Sequence, residues 1–400
     1  MWENDDACIK CSICISVCPV YGQDLEFPGP KALGPDWFRA YQANPLTVPS
    51  EHVDDCTFCQ LCEASCPVHV PIAHLIAQHK SLKKKTWRIN LRDRILAHPH
   101  WVARYPRLAN APNFLVRPLG FGTQSRWPRP QRRVAPLSSS PQADTRQIVG
   151  LFVDCYSRGF DQDVLSAAQA LLELWGFSVR LLPHASHCCG AAAYAAGQPE
   201  EGQRIAHSTY DAMTPGLTDL SQIVTLNATC DSTLREEWPL YWNLSLPVPV
   251  LSFSEFALDK APAWFWDAMH KGMTAEQEQG ETTSWIHTTC RSRVSRGDGI
   301  LEQLADKAGL AAIQPLNLAC CGAGGSYAFK KEHEKTAHAL GAAALEQVTE
   351  THDRIIVDSG TCALHLTQIT GALAKHPAYW LYQRFLSLTQ RSGDIASQEK

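Results

Sequence analysis

Ile148-Val-Gly-Leu-Phe-Val-Asp-Cys155 is a short apolar run that ends in a cysteine, and three other stretches have the same form. They are Ile223-Val-Thr-Leu-Asn-Ala-Thr-Cys230, Trp285-Ile-His-Thr-Thr-Cys290 and Ile355-Ile-Val-Asp-Ser-Gly-Thr-Cys362. A helix-length segment follows each run. Strand-like and helix-like segments in alternation predict α/β units around a parallel sheet. Cysteines just past strand ends then gather at the carboxyl edge of that sheet, where open α/β folds place ligands.

The unit occurs twice. Cys155 precedes Cys188-Cys189-Gly190 and Cys230 closes the set; Cys290 precedes Cys320-Cys321-Gly322 and Cys362 closes the second. The interval from Cys189 to Cys230 equals that from Cys321 to Cys362. Such a repeat predicts two similar halves related by a pseudo-twofold, with their thiols facing a shared cleft. Adjacent cysteines on one strand would point to opposite faces. A tight turn, with glycine supplying the unusual backbone angle, instead aims both thiols at one centre.

Toward the N-terminus, Cys8-Ile-Lys-Cys11-Ser-Ile-Cys14-Ile-Ser-Val-Cys18-Pro19 and Cys56-Thr-Phe-Cys59-Gln-Leu-Cys62-Glu-Ala-Ser-Cys66-Pro67 share one spacing. This is the bacterial ferredoxin pattern, in which three thiolates wrap one 4Fe-4S cubane and the fourth cysteine serves the other. It assigns Cys8, Cys11, Cys14 and Cys66 to one cluster and Cys56, Cys59, Cys62 and Cys18 to the second. Paired zinc sites are the competing reading, but zinc ribbons separate their cysteine pairs by longer loops. Residues 20 to 55 are expected to form a loop and helix closing over the clusters.

Sixteen cysteines in 400 residues could mark disulfides, but the start, Met-Trp-Glu-Asn-Asp-Asp, resembles no secretory signal. Reduced thiols and a cytoplasmic location are expected, peripheral on the inner face of the membrane if a membrane is touched. No window approaches a membrane-spanning apolar run. A net charge of -4 gives no expectation of nucleic acid as a partner. Residues 83 to 107 interleave Lys83-Lys-Lys85, Arg88, Arg92, Arg94, Arg104 and Arg107 with Trp87 and Trp101. They read either as a segment for an anionic membrane surface or as a helix packed on protein. A Walker loop, a dinucleotide fingerprint and a G-x-S-x-G elbow are absent, so hydride or hydrolytic chemistry is expected elsewhere.

The Cys-Cys-Gly repeats together with the doubled N-terminal pattern resemble the iron–sulfur subunits of anaerobic glycerol-3-phosphate dehydrogenase and glycolate oxidase, and heterodisulfide reductases. Pro28-Gly-Pro-Lys-Ala-Leu-Gly-Pro-Asp36 looks most like the first, whereas Cys362-Ala-Leu-His365 looks more like the second. The resemblance implies an electron-transfer subunit passing electrons from an FAD-containing dehydrogenase to a quinone, with glycerol 3-phosphate as the organic substrate and glycolate or lactate second. A disulfide-reducing enzyme and a docking platform are the other readings.

In that family pattern each half ends in C-x2-C, but this chain has Cys230-Asp-Ser-Thr233 and Cys362-Ala-Leu-His365. Each half lacks its fifth thiol, which counts against disulfide reduction. His365 either replaces that thiol as an imidazole ligand or packs as an ordinary helix residue. His184 and His187 are expected beside the ligands rather than among them. The resemblance also implies that Cys155, Cys188, Cys189, Cys230, Cys290, Cys320, Cys321 and Cys362 bind an additional iron–sulfur cluster.

The whole is expected to be α+β: a small helical bis-4Fe-4S ferredoxin-type domain (1-86), a basic Pro-rich linker (87-145), and a duplicated α/β Cys-Cys-Gly domain with parallel sheets (146-270 and 271-400).

Overall fold

The computed structural model describes residues 7–105, 116–122, 130–137, 147–182, 187–271, 282–310 and 312–398. The two sheets are copies of one topology. In the first, β1 (Ile148–Phe152), β2 (Ser178–Leu182), β3 (Leu220–Thr225) and β4 (Val250–Ser252) lie in the order β2-β1-β3-β4. In the second, β5 (Ser284–Ile286), β6 (Ile313–Pro315), β7 (Arg354–Ile356) and β8 (Leu373–Lys375) lie in the order β6-β5-β7-β8. All pairs are parallel. The four runs that end in cysteine supply β1, β3, β5 and β7, the two central strands of each sheet. Burial on both faces explains why they read as continuous apolar runs.

Each central strand leads directly into a helix, and three of these helices are capped by a side chain. Asp154 accepts hydrogen bonds from Tyr156 N and Ser157 N at the start of the helix Cys155–Gly159. Asn227 does the same for Ala228–Ser232 through Thr229 N, and Thr289 for Cys290–Arg296 through Ser292 N. These caps satisfy first-turn N–H groups and fix where the adjacent cysteine emerges.

The halves are not separate bodies. Val149, Leu171 and Phe256 of the first share one core with Ile286, Leu304 and Phe385 of the second. The last helix, Pro377–Gln398, packs on the helix Gln162–Leu174 of the first half, and the Lys375 ammonium lies 2.9 Å from both Asp161 and Asp163 carboxylates.

The N-terminal region is mostly short helices. The segment between its cysteine runs forms consecutive helical turns over 29–43, burying Phe27, Leu33, Trp37 and Phe38. Trp37 stacks on His79 at 4.0 Å. His79 donates from Nδ1 to Leu33 O at 2.8 Å and accepts at Nε2 from Ser50 N at 2.9 Å, fastening this segment to the helix Ile72–Leu82.

The segment expected to be a linker begins as two helices, Trp87–Ala97 and Pro99–Arg104. Arg92 is 1% exposed and grips both Glu332 oxygens, at 2.6 and 2.7 Å, tying this segment to the second half. Trp87 and Trp101 stay exposed. The Ser-rich end of that segment, 138–143, and His184 lie outside the described residues. Among the described residues no helix is long and apolar enough to cross a membrane.

Candidate metal centres

The two N-terminal cysteine loops have the same backbone. Lys10 and Ser12 in the first have φ of 60° and 66°, and Phe58 and Gln60 in the second have 60° and 66°. Left-handed non-glycine residues cost roughly 1–2 kcal/mol each. Four at matched positions mark loops bent around something rather than packed on themselves.

Each loop borders its own small cavity. One is lined by Cys8, Cys11, Cys14 and Cys66, the other by Cys18, Cys56, Cys59 and Cys62. The fourth cysteine of each run has crossed to the opposite cavity, as the spacing predicts. Burial raises Cys14, with Cys8, Cys11 and Cys66 adding to it, and burial pushes Cys18 up to about 11. Burial also drives Cys59 and Cys62 upward. Crowded thiols that resist ionising alone suit a cationic iron core that displaces their protons. Phe58 N donates to Cys56 Sγ and Val70 N to Cys66 Sγ, both at 3.4 Å. Arg39 reaches Cys8 O at 2.8 Å and Lys80 reaches Cys56 O at 2.9 Å, setting cations beside what would be anionic groups.

The eight cysteines of the two halves line a single cavity of about 150 Å³. Cys59 lines it too, so the second N-terminal cavity and the central one share a residue. Both Cys-Cys pairs are set by the glycine that follows. Gly190 has φ +94 and would place a Cβ 2.4 Å from Gly202 O; Gly322 has φ +87 and would place one 2.0 Å from Ala337 O. Only glycine fits either turn.

In the first half the thiols form a chain. The Cys155 and Cys188 sulfurs are 3.9 Å apart. Cys188 is pushed up first by Cys155, Cys189 by Cys188, and Cys230 by Cys189, with burial adding to each. In the second half, contact with Cys320 raises Cys290, while a contact from Cys321 holds Cys362 down at about 6. Gly322 N donates to Cys320 Sγ at 3.3 Å.

One buried ionic knot joins all three parts of the cavity wall. The Glu237 carboxylate accepts from Gln60 of the second cysteine loop at 2.8 Å, from Thr233 at 2.9 Å, and from Arg291. Arg291 also donates to Ser232 at 2.9 Å, across the junction of the halves. Nothing in the spacing of Glu237 and Arg291 singles them out; only the fold makes them neighbours.

A histidine, His287, lies beside the second-half thiols. One of its ring nitrogens and the Cys321 and Cys362 sulfurs all lie within 4.8 Å of one another. His365 is buried on the helix Gly360–Thr370, with its Nε2 3.2 Å from Ala337 O. His187 borders His100 electrostatically. Sequence reasoning misses His287 because it sits in an apolar run; its position three residues before Cys290, at a strand end, is the signal that could have found it.

Comparison with known proteins agrees with this division. Residues 5–70 match the 4Fe-4S dicluster domain, and residues 149–235 and 285–367 each match the cysteine-rich domain. A subunit of the anaerobic glycerol-3-phosphate dehydrogenase of Escherichia coli (strain K12) is 27% identical, covering 94% of this chain and 97% of its own length. The glycolate oxidase iron-sulfur subunit of the same organism is 23% identical, covering 92% of this chain and 91% of its own. A subunit of the fumarate reductase (CoM/CoB) of Methanothermobacter marburgensis is 24% identical over 90% of this chain and 67% of its own. No solved structure matches significantly.

Proposed function

This chain belongs to the iron–sulfur proteins that join a 4Fe-4S dicluster domain to two cysteine-rich domains, and from that premise we propose that it is the electron-transfer subunit of a respiratory flavin-dependent dehydrogenase. Its partner would be an FAD-containing subunit oxidising glycerol 3-phosphate, with glycolate or lactate as the alternative, and its acceptor a membrane quinone. The relatives of matching length, a glycerol-3-phosphate dehydrogenase subunit and a glycolate oxidase subunit, support that order.

Cys8, Cys11, Cys14 and Cys66 would hold one cubane and Cys18, Cys56, Cys59 and Cys62 the other; the eight central cysteines would hold an additional cluster. Groups bound there supply one-electron uptake and release. The chain's own residues bury the centres, donate N–H groups to sulfur and place Arg39 and Lys80 near their negative charge. These are the means by which a protein sets an iron–sulfur potential.

The single observation that carries the reading is Cys59, which lines both the second N-terminal cavity and the central one. It makes the thiol groups a continuous series rather than isolated stores. The test is to purify the chain anaerobically with its flavoprotein and add glycerol 3-phosphate, glycolate and lactate in turn. Rapid bleaching of the iron–sulfur absorbance by glycerol 3-phosphate is expected, followed by recovery on adding a water-soluble quinone. Bleaching by none of the three substrates overturns the proposal.

A further inference from the structure

The two halves share strand order and cysteine positions, but they differ at the strand end beside the thiols. In the first half Phe152 ends β1, 1% exposed, and packs with Cys188, Cys189 and Cys230. The same place in the second half, three residues before the leading cysteine, is His287. Its backbone N–H donates to Ile356 O at 3.0 Å, extending the β5–β7 ladder and holding the ring at the carboxyl edge.

His287 is 0% exposed, and neither Nδ1 nor Nε2 finds a nitrogen or oxygen partner among the described residues; the polar group it meets is the Cys362 thiol. Leaving a buried polar group unsatisfied is unfavourable, because it gives up its bonds to water and gains none. Every other buried histidine among the described residues has an oxygen or nitrogen partner for at least one ring nitrogen, His333 through Asp55. His79 uses both ring nitrogens, His98 bonds Arg94 O and Glu201, His365 reaches Ala337 O, and His376 accepts from Ala378 N. One ring nitrogen of His287 instead lies within 4.8 Å of the Cys321 and Cys362 sulfurs.

Resting on the reading that the central cysteines hold a cluster, we propose that His287 is an iron ligand there. The second half is then a His-plus-four-thiolate site of His287, Cys290, Cys320, Cys321 and Cys362, while the first half offers thiolates alone. One ring nitrogen would donate its lone pair to iron, and the other would keep its proton. Imidazole carries no negative charge, so the second-half centre accepts an electron more readily than an all-thiolate one, as histidine-ligated centres do. His365, placed where a fifth thiol belongs, stays bound to the backbone of the helix Glu334–Gln347.

The experiment uses the full chain, purified anaerobically from cells grown on iron-57, with and without nitrogen-15 histidine. Iron content, Mössbauer spectra and pulsed electron paramagnetic resonance are recorded for the native chain, His287→Phe, which copies Phe152, and His365→Ala. His287→Gln serves if the phenylalanine disturbs folding, and the labelled native chain needs no variant at all. Expected are iron clearly above the roughly eight atoms of two cubanes, and strong histidine-nitrogen coupling in the native chain and in His365→Ala. His287→Phe is expected to lose that coupling and to change the Mössbauer parameters of one iron site.

Iron above eight overturns the ligand assignment, but leaves the cluster reading standing, if histidine coupling is no stronger than that of backbone N–H groups and Mössbauer spectra are unchanged in His287→Phe. Coupling that disappears in His365→Ala transfers the role to that residue. Iron of about eight in the native chain overturns both readings.

Discussion

At the scale of single residues, the Glu237–Arg291 pair lies at the junction of the cysteine loop and the two halves, and both side chains are almost wholly buried. Removing one partner of such a pair leaves a buried charge uncompensated, which typically costs about 3–5 kcal/mol. Arg291→Met and Glu237→Gln should each lower unfolding free energy by roughly that amount, and the double variant should recover much of the loss. Urea unfolding of the anaerobic protein measures it; additive losses would contradict the pairing.

His376 makes a second residue-scale prediction. Burial holds its imidazole down at about 3, well below its ordinary value, while its Nδ1 accepts from Ala378 N. A depressed histidine stabilises the fold fully above its unfolded pKa of about 6.5 and loses that contribution as pH falls below it. Between pH 6.5 and 5.5 the native chain should therefore lose about 1 kcal/mol of stability relative to His376→Asn. Comparing the two proteins at each pH cancels any acid lability of the clusters.

Among the elements, the Cys-Cys-Gly turns are held by close backbone approach. Gly322→Ala would press a methyl group against Ala337 O, whereas Gly176, also at positive φ, has nothing within 4 Å of such a Cβ. Gly176→Ala should cost only the conformational term, about 1 kcal/mol. Gly322→Ala should cost several times more and displace Cys320 and Cys321, lowering both melting temperature and any iron beyond the N-terminal cubanes. Equal losses in the two variants would mean that the close contact with Ala337 contributes nothing. The helices Trp87–Ala97 and Pro99–Arg104 show why a segment rich in Arg and Pro can look like a tether: the first has no clear apolar stripe and, of its apolar residues, buries only Leu96 and Ala97 at its end, while ionic contacts from Arg92 to Glu332 and from Asp93 to Lys330 tie it to the second half. Glu332 is distant in sequence.

For the molecule as a whole, the N-terminal region and the duplicated domain should respond differently to loss of iron. The cysteine loops enclose cavities and carry four strained residues, so little but bound metal opposes their collapse. Both sheets share an extensive apolar core that needs no metal. Chelating iron under acid and returning to neutral pH should abolish hydrogen-exchange protection in the two cysteine loops, 8–18 and 56–66, while the helical turns over 29–43 and the eight strands keep most of theirs. Loss of protection throughout would make the clusters the organising centre of the entire chain.

Local pattern made much of this protein readable. Cysteine spacing divided the N-terminal cysteines between two cavities, because short spacers limit how far consecutive thiols reach. Apolar runs ending in cysteine marked the central strands, because strands buried on both faces cannot tolerate polar alternation, and the repeat announced two sheets of one topology. What needed the tertiary structure is what depends on distance across the chain. It brought Cys59 to the central cavity, buried Glu237 against Gln60 and Arg291, fused the halves into one core, and set His287 against the Cys321 and Cys362 sulfurs. An imidazole at a strand end looks the same in sequence whether it faces solvent, a backbone carbonyl or a ring of sulfurs; packing of the two central strands against the Cys-Cys-Gly turn decides which it meets.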